Sequence, residues 1–351
     1  MTDVSTTTPD ARPDERVRRV SPFHRMLARP EIGSLVGAIA IYIFFFVVAE
    51  SFRSAAAFST ILYISSTIGI MSIGVALLMI GGEFDLSAGV AVTTSALTAS
   101  LFAFQLSTNV WVGVLVGLAV ALAVGFFNGY LVMRTRIPSF LVTLGSFLML
   151  QGLNLAVTKL LTGQVASQNI ADMDGFSSAQ AIFSSEFRVG GATIRITVLW
   201  WLLFLAIATW MLLRTKVGNW IYAVGGDAES ARAVGVPVAA TKIGLFMGVG
   251  FLAWFSGMHV LFSFNTVQSG QGIGNEFIYI IAAVIGGCLL TGGYGTAIGS
   301  AIGAFIYGMT NQGIVYAGWN PDWVRFFLGA MLLGATITNL WVRNKTSGTR
   351  N

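Results

Sequence analysis

Of 351 residues, 55% are hydrophobic and only 10% charged, with a net charge of +5, and the mean hydropathy is +0.77. Soluble domains carry about a quarter charged residues, so this composition excludes an ordinary water-facing surface; the chain reads as an all-α polytopic membrane protein. The 41 glycines agree, because small residues let membrane helices approach closely, and the single cysteine, Cys288, excludes an internal disulfide.

Residues 1–30 are a basic, polar tail. Within it DERVRRVSPFHRMLAR (14–29) is either a short helix on the anionic lipid surface or a solvated anchor that sets orientation. The transmembrane domain follows at 31–342, and 343–351 is a second tail. A spanning helix needs about 20 apolar residues. The charge-free runs supply ten candidates, at 32–50, 58–82, 86–105, 110–133, 138–161, 196–213, 242–264, 277–290, 296–316 and 323–342. With both termini cytoplasmic, 15 basic residues fall inside and 5 outside, as the positive-inside rule requires. The long outer loop is 162–195, ending in FRVGGATIRI, which suits a short extended ornament. The cytoplasmic loop is 214–242.

Two Gly-Gly segments, GGEFDLSAG at 81–89 and GGCLLTGG at 286–293, form a weak repeat. The topology runs the chain in the same direction at both, so they are not equivalents in an inverted repeat. No phosphate-loop or HExxH pattern occurs, so no catalytic residue, metal site or nucleotide site is expected on this chain. Of the two histidines, His259 lies inside a span, where an ionisable group is either functional or a satisfied interhelical partner. Near the apolar zone only Glu83 and Asp85 are expected, which argues against an ion-coupled carrier. Asp85 either caps the third helix or, with Glu83, marks a polar re-entry that meets a solute. Asn128, Gln151, Asn154, Asn311 and Gln312 are in-span amides: they suit a neutral polyhydroxy solute, and equally well serve as glue between helices. Trp200, Trp201 and Trp341 read as lipid-facing or interfacial.

In the inner loop, GGDAESARAVGVP (225–237) predicts a two-turn helix. Asp227 caps it, Gly235 ends it in the left-handed conformation and Pro237 prevents its return. So short a helix is not stable alone; it is expected to dock, with Ser230, Ala231 and Ala233 as a face of close approach. Glu229-Ser-Ala-Arg-Ala-Val-Gly235 resembles the E-A-A-x-x-x-G signature of bacterial ABC importer permeases, with Ser230 in place of the first alanine. GGEFDLSAG is similar to the GG-x-DLS-x-G segment of ribose-type permeases, with one extra residue before Asp85. Residues 134–146 (RTRIPSFLVTLGS) and 285–314 also resemble that family.

The resemblance implies a permease subunit of an importer for a monosaccharide or polyol in the bacterial plasma membrane. It implies a homodimer, an extracytoplasmic solute-binding protein and a separate cytoplasmic ATPase that binds ATP and Mg, leaving this chain without a cofactor. It places the ATPase contact on Asp227, Glu229, Ser230, Ala231 and Gly235. Branched-chain amino acids or nucleosides are alternative solutes within the same plan. A stand-alone carrier or channel, or a membrane scaffold or receptor, is the alternative of another class.

Overall fold

The computed structural model describes residues 30–347 except 108 and 190; the surface-helix reading of 14–29 lies outside the described residues. The chain begins with α1 (Pro30–Val48), a 3-10 turn (Glu50–Arg53), α2 (Ala55–Ile80), α3 (Ala88–Gln105), α4 (Val110–Thr135) and α5 (Ser139–Thr162). A small layer follows, made of α6 (Phe176–Phe183), β1 (Glu186–Val189) and β2 (Ala192–Arg195). The remainder is α7 (Ile196–Arg214), α8 (Lys216–Gly226), α9 (Ala228–Ala233), α10 (Val238–Phe264), α11 (Asn275–Ile285), α12 (Ala297–Tyr316) and α13 (Trp323–Ser347). Local chemistry fixes several starts: Ser54, Asn109 and Thr296 accept the backbone N–H of Ala57, Trp111 and Gly299 as caps of α2, α4 and α12.

Among the described residues, seven helices are long and apolar enough to cross a bilayer: α1, α2, α3, α4, α5, α7 and α10. The predicted span at 277–290 is corrected: α11 has only 11 residues and starts earlier, at Asn275. Its turn at Gly286 stops the helix inside the apolar run, which length counting could not reveal. The layers follow from burial. In their most apolar stretches α2 and α3 have 78% of positions buried and α10 has 72%, against 17% for α1 and 22% for α5. Thus α2, α3 and α10 form the core, and α1 and α5 turn residues such as Val36 and Leu160 outward.

Helix direction puts the α2–α3, α4–α5 and α11–α12 turns at one end of the bundle, together with α8 and α9. The opposite end carries the predicted ornament, a two-stranded antiparallel hairpin pairing Glu186 with Arg195. It also carries α6, which the sequence reading missed. The buried faces of Phe176, Ala179 and Phe183 follow helical spacing, and Phe183 stacks on Phe262 at 5.7 Å. Trp201 corrects the interfacial reading: it is buried, its ring filling the space that Gly69 leaves open on α2.

The weak Gly-Gly repeat is one local structure used twice. At the end of α2, Gly82 N–H donates to Met79 O at 2.9 Å and Glu83 N–H to Leu78 O at 3.1 Å. At the end of α11, Gly287 donates to Val284 at 2.9 Å and Cys288 to Ala283 at 3.0 Å. Both are Schellman ends, and Gly82 and Gly287 take the required left-handed φ of +80° and +95°.

Candidate functional site

The predicted short helix is present as α9. Asp227 has extended backbone, and its carboxylate accepts the Glu229 and Ser230 amides at 2.9 and 2.8 Å. The Ser230 amide above all holds the Asp227 carboxyl below its usual range; desolvation opposes it, and the Glu229 amide adds to the lowering. Gly235, at φ +85°, ends the helix, and Val236 N–H closes it on Ala231 O at 3.0 Å. Glu229, Ser230, Arg232 and Ala233 are exposed, and Val234 is 80% exposed. Ala231 corrects the predicted contact set: it is buried against Val224 and Val238, so it seats α9 on its own chain.

Both ends of the segment 225–242 are fastened to the α2–α3 turn. At the near end, Gly225 packs on Gly82 and Gly292. A Cβ on Gly225 would strike the Ile80 carbonyl, and one on Gly292 would lie 2.7 Å from Gly82 Cα. Gly293 N–H then donates to Ile80 O at 2.8 Å. Three Gly-Gly pairs, Gly81-Gly82, Gly225-Gly226 and Gly292-Gly293, therefore meet in one backbone junction. At the far end, Lys242 Nζ lies 2.5 Å from Glu83 Oε1, with both side chains largely buried.

From this junction a buried polar chain enters the bundle. Asp85 Oδ1 accepts from Ser87 N and Oγ at 2.8 and 2.5 Å, Asn128 Nδ2 donates to Ser87 Oγ at 2.9 Å, and Ser146 Oγ donates to Asn128 Oδ1 at 2.5 Å. Phe84 and Leu86 N–H groups donate to Ser139 Oγ and Thr143 Oγ1 at 3.1 and 3.0 Å. The segment between α2 and α3 is thus tied to α4 and α5; Asp85 bonds Ser87, the residue before α3, and accepts no amide of the helix itself.

Of the seven residues expected along a solute path, Glu83, Asp85 and Asn128 gather here and the other four do not. Asn154 faces a groove between α3, α4 and α5, with its Nδ2 unpartnered among the described residues. Gln151 is half-buried one turn earlier on α5. Asn311 and Gln312 are neighbours on α12, linked at 3.4 Å.

A further buried acid was missed. Glu276, in the first turn of α11, is 2% exposed, and its carboxylate accepts Gly274 N–H at 3.1 Å. The expectation that only Glu83 and Asp85 approach the apolar zone is therefore corrected. The signal was present, since Glu276 alone separates two long charge-free runs. The backbone of Gly272 lies against Gly89 and Thr93 of α3, so the α11 start meets the α3 start inside the bundle. Above this meeting point is a cavity of about 240 Å³, lined by Tyr63, Thr67, Thr93, Ser256, His259 and Asn275 among others.

The model of the family described as "Branched-chain amino acid transport system / permease component" matches residues 57–336. Curated relatives match over most of the chain. The fructose import permease protein FrcC of Rhizobium meliloti is 28% identical over 88% of this chain and 84% of its own. The probable ABC transporter permease protein YphD of Escherichia coli is 29% identical over 90% and 91%. The autoinducer 2 import system permease protein LsrC of Yersinia pestis is 30% identical over 87% and 83%. No solved structure matches. The family match runs from α2 into α13 and takes in the glycine junction, α9 and the cavity, so the chain belongs to the branched-chain amino acid transport system permease family.

Proposed function

We propose that the chain is the membrane subunit of an ABC importer that moves a monosaccharide or polyol inward across the bacterial inner membrane. Ten helices, α1–α5, α7 and α10–α13, make up the membrane domain, with both termini cytoplasmic. Two copies pair, a solute-binding protein delivers the solute from outside, and a separate ATPase supplies ATP and Mg chemistry from within. The observation that carries this reading is α9, a six-residue capped helix that projects polar and apolar side chains while both of its flanks are anchored to the core. Such a helix is too short to be placed there for its own stability; it fits a groove on a partner. Relatives named for fructose and autoinducer 2 import support the solute class.

Motion follows from the anchoring. When the ATPase closes on ATP, its grip on Asp227, Glu229, Ser230 and Gly235 draws α9 along. The Gly225–Gly82 contact and the Lys242–Glu83 pair pass the displacement to the α2–α3 turn. The Asp85–Ser87–Asn128–Ser146 chain then carries it to α3, α4 and α5, rocking the bundle between inward- and outward-open forms. No covalent step occurs on this chain.

The test is uptake by proteoliposomes holding the chain with its ATPase and binding protein. E229K and G235V are expected to abolish ATP-driven uptake while membrane insertion stays normal; normal uptake by either variant defeats the coupling assignment. Gradient-driven flux through the chain alone would instead establish a stand-alone carrier. A branched-chain amino acid is the second reading, favoured by the description of the matching family; competition of labelled sugar uptake by leucine separates the two.

A further inference from the structure

An apolar trough runs along the outside of the bundle between α1, α7 and the start of α12. One stretch of it, about 550 Å³, is walled by Leu35, Ile39 and Tyr42 of α1, Phe58 of α2, Trp201 of α7 and Ile302 of α12. The other, about 490 Å³, follows α7 through Leu202, Ala206, Thr209 and Leu213 to Arg214. Both are lined by Leu205 and Ile298, so they are one continuous feature. From Trp201 to Arg214 the trough follows thirteen residues of α7, a rise of about 20 Å. One leaflet of the hydrocarbon layer is about 15 Å deep, half of ~30 Å. The trough therefore has the reach of one acyl chain whose head lies at the Arg214 end.

That end is cationic. Arg214 and Lys216 flank Thr215, the residue that caps α8, and both are exposed. Neither joins an ion pair among the described residues, where the pairs are Arg195–Glu186 and Lys242–Glu83. The acid on a facing wall helix is Glu31, one turn before Leu35 on α1, so this end brings together two cations and one carboxylate. Trp210 is 62% exposed and lies one turn before Arg214, at the level where indoles meet lipid head groups. Thr209 lines the trough beside it, and its hydroxyl has no partner among the described residues. An ester carbonyl at the glycerol level of a phospholipid would supply that partner.

We infer that the trough is a binding site for one anionic phospholipid, with an acyl chain along α7 from Leu213 towards Trp201 and the phosphate on Arg214 and Lys216. Basic pockets between helices at the cytoplasmic face hold anionic head groups in this way, and a guanidinium engages a phosphate through two N–H donors at once. The leaflet is the cytoplasmic one in the orientation proposed above; the site itself depends neither on that orientation nor on the solute. Its position has a consequence. The head group sits at the joint where α7 passes into α8, so the membrane takes hold of the segment that carries α9.

The full chain in detergent micelles, stripped of native lipid, is titrated with palmitoyl-oleoyl phosphatidylglycerol or phosphatidylcholine, and bound lipid is counted by native mass spectrometry. One phosphatidylglycerol should be retained in preference to phosphatidylcholine. Each cation beside an anionic head group is worth about fivefold in affinity. R214Q should therefore weaken phosphatidylglycerol about fivefold and R214Q/K216Q about thirtyfold, while R214K keeps it. R134Q removes an exposed charge from the last turn of α4, at the same end of the bundle, and should leave binding near the unaltered level. A206W narrows the trough without touching a charge and should weaken both lipids. A photoreactive benzoylphenylalanine at Ala206 should cross-link to the acyl chain, and covers an R214Q chain that fails to fold. Equal losses in R134Q and R214Q, unchanged phosphatidylglycerol binding by A206W, or a cross-link from position 206 to a second copy of the chain overturns the site.

Discussion

Lys242 and Glu83 are 159 residues apart in sequence and form an ion pair at 2.5 Å, their side chains only 11% and 12% exposed. The pair joins the second turn of α10 to the residue that closes the Schellman end of α2. Removing one partner leaves the other buried without compensation, which costs about 3–5 kcal/mol, whereas replacing both by apolar groups is nearly neutral. E83Q and K242M should therefore each lower the Tm of the detergent-solubilised chain strongly, and E83M/K242M should recover most of the loss. Equal destabilisation by the single and double variants would show that the pair is not the stabilising element.

Adjacent glycines should respond in opposite ways. Gly225 has Ile80 O, Gly293 N and Gly82 against it, while a Cβ on Gly226 would meet nothing within 4 Å. G225A is expected to force the junction apart and cut both folded yield and uptake. G226A should leave both near the unaltered level. The comparison needs only fluorescence-detected size exclusion and an uptake assay.

The cap of α9 should be visible as a pH effect. The folded-state carboxyl of Asp227 is held below its ordinary value by the amides it accepts. The folded helix therefore favours the carboxylate, so the cap's contribution is full above the ordinary carboxylate range and is lost as pH falls through the lowered folded value. Amide exchange of residues 228–233 should speed up, beyond its intrinsic pH dependence, only at strongly acid pH. D227N, which caps without titrating, should remove that extra pH dependence, and D227A should speed exchange at every pH.

Val234 is an apolar side chain 80% exposed at the end of α9, away from the packed face occupied by Ala231. V234D should reduce ATP-driven uptake about tenfold or more with unchanged membrane insertion, whereas A231V should act through stability, lowering Tm. If A231V impaired uptake without any change in Tm, the division between the seated and the docking faces of α9 would be wrong.

These differences trace what local sequence can and cannot specify. The bounds of α9 were legible because Asp227 and Gly235 act on backbone groups a few residues away. The FRVGGATIRI segment was legible only as a short extended piece; its pairing as the β1–β2 hairpin emerged with the structure. The half-length α11 was not, because its stop at Gly286 is followed by more apolar residues and run length ignores local turns. The partners of Glu83 and Trp201 were illegible for another reason: Lys242 and Gly69 lie far away in sequence, and only packing of α2 against α10 and α7 brings them together. Likewise the amides share a chemistry but not a place, and a list of residue types could not separate Asn128, in a satisfied chain, from Asn154, in a groove.

The meeting of Gly82, Gly225 and Gly292 has a mechanical corollary. Contacts between side chains can yield by changing rotamer, so a push is partly absorbed where it is received. Main chain resting on main chain has no such slack. A joint of this kind behaves as a rigid bearing, in which a shift of one strand of backbone is at once a shift of the other two. It also means that the gearing between the two ends of the machine is set by backbone curvature, and that almost any added atom there would change the stroke.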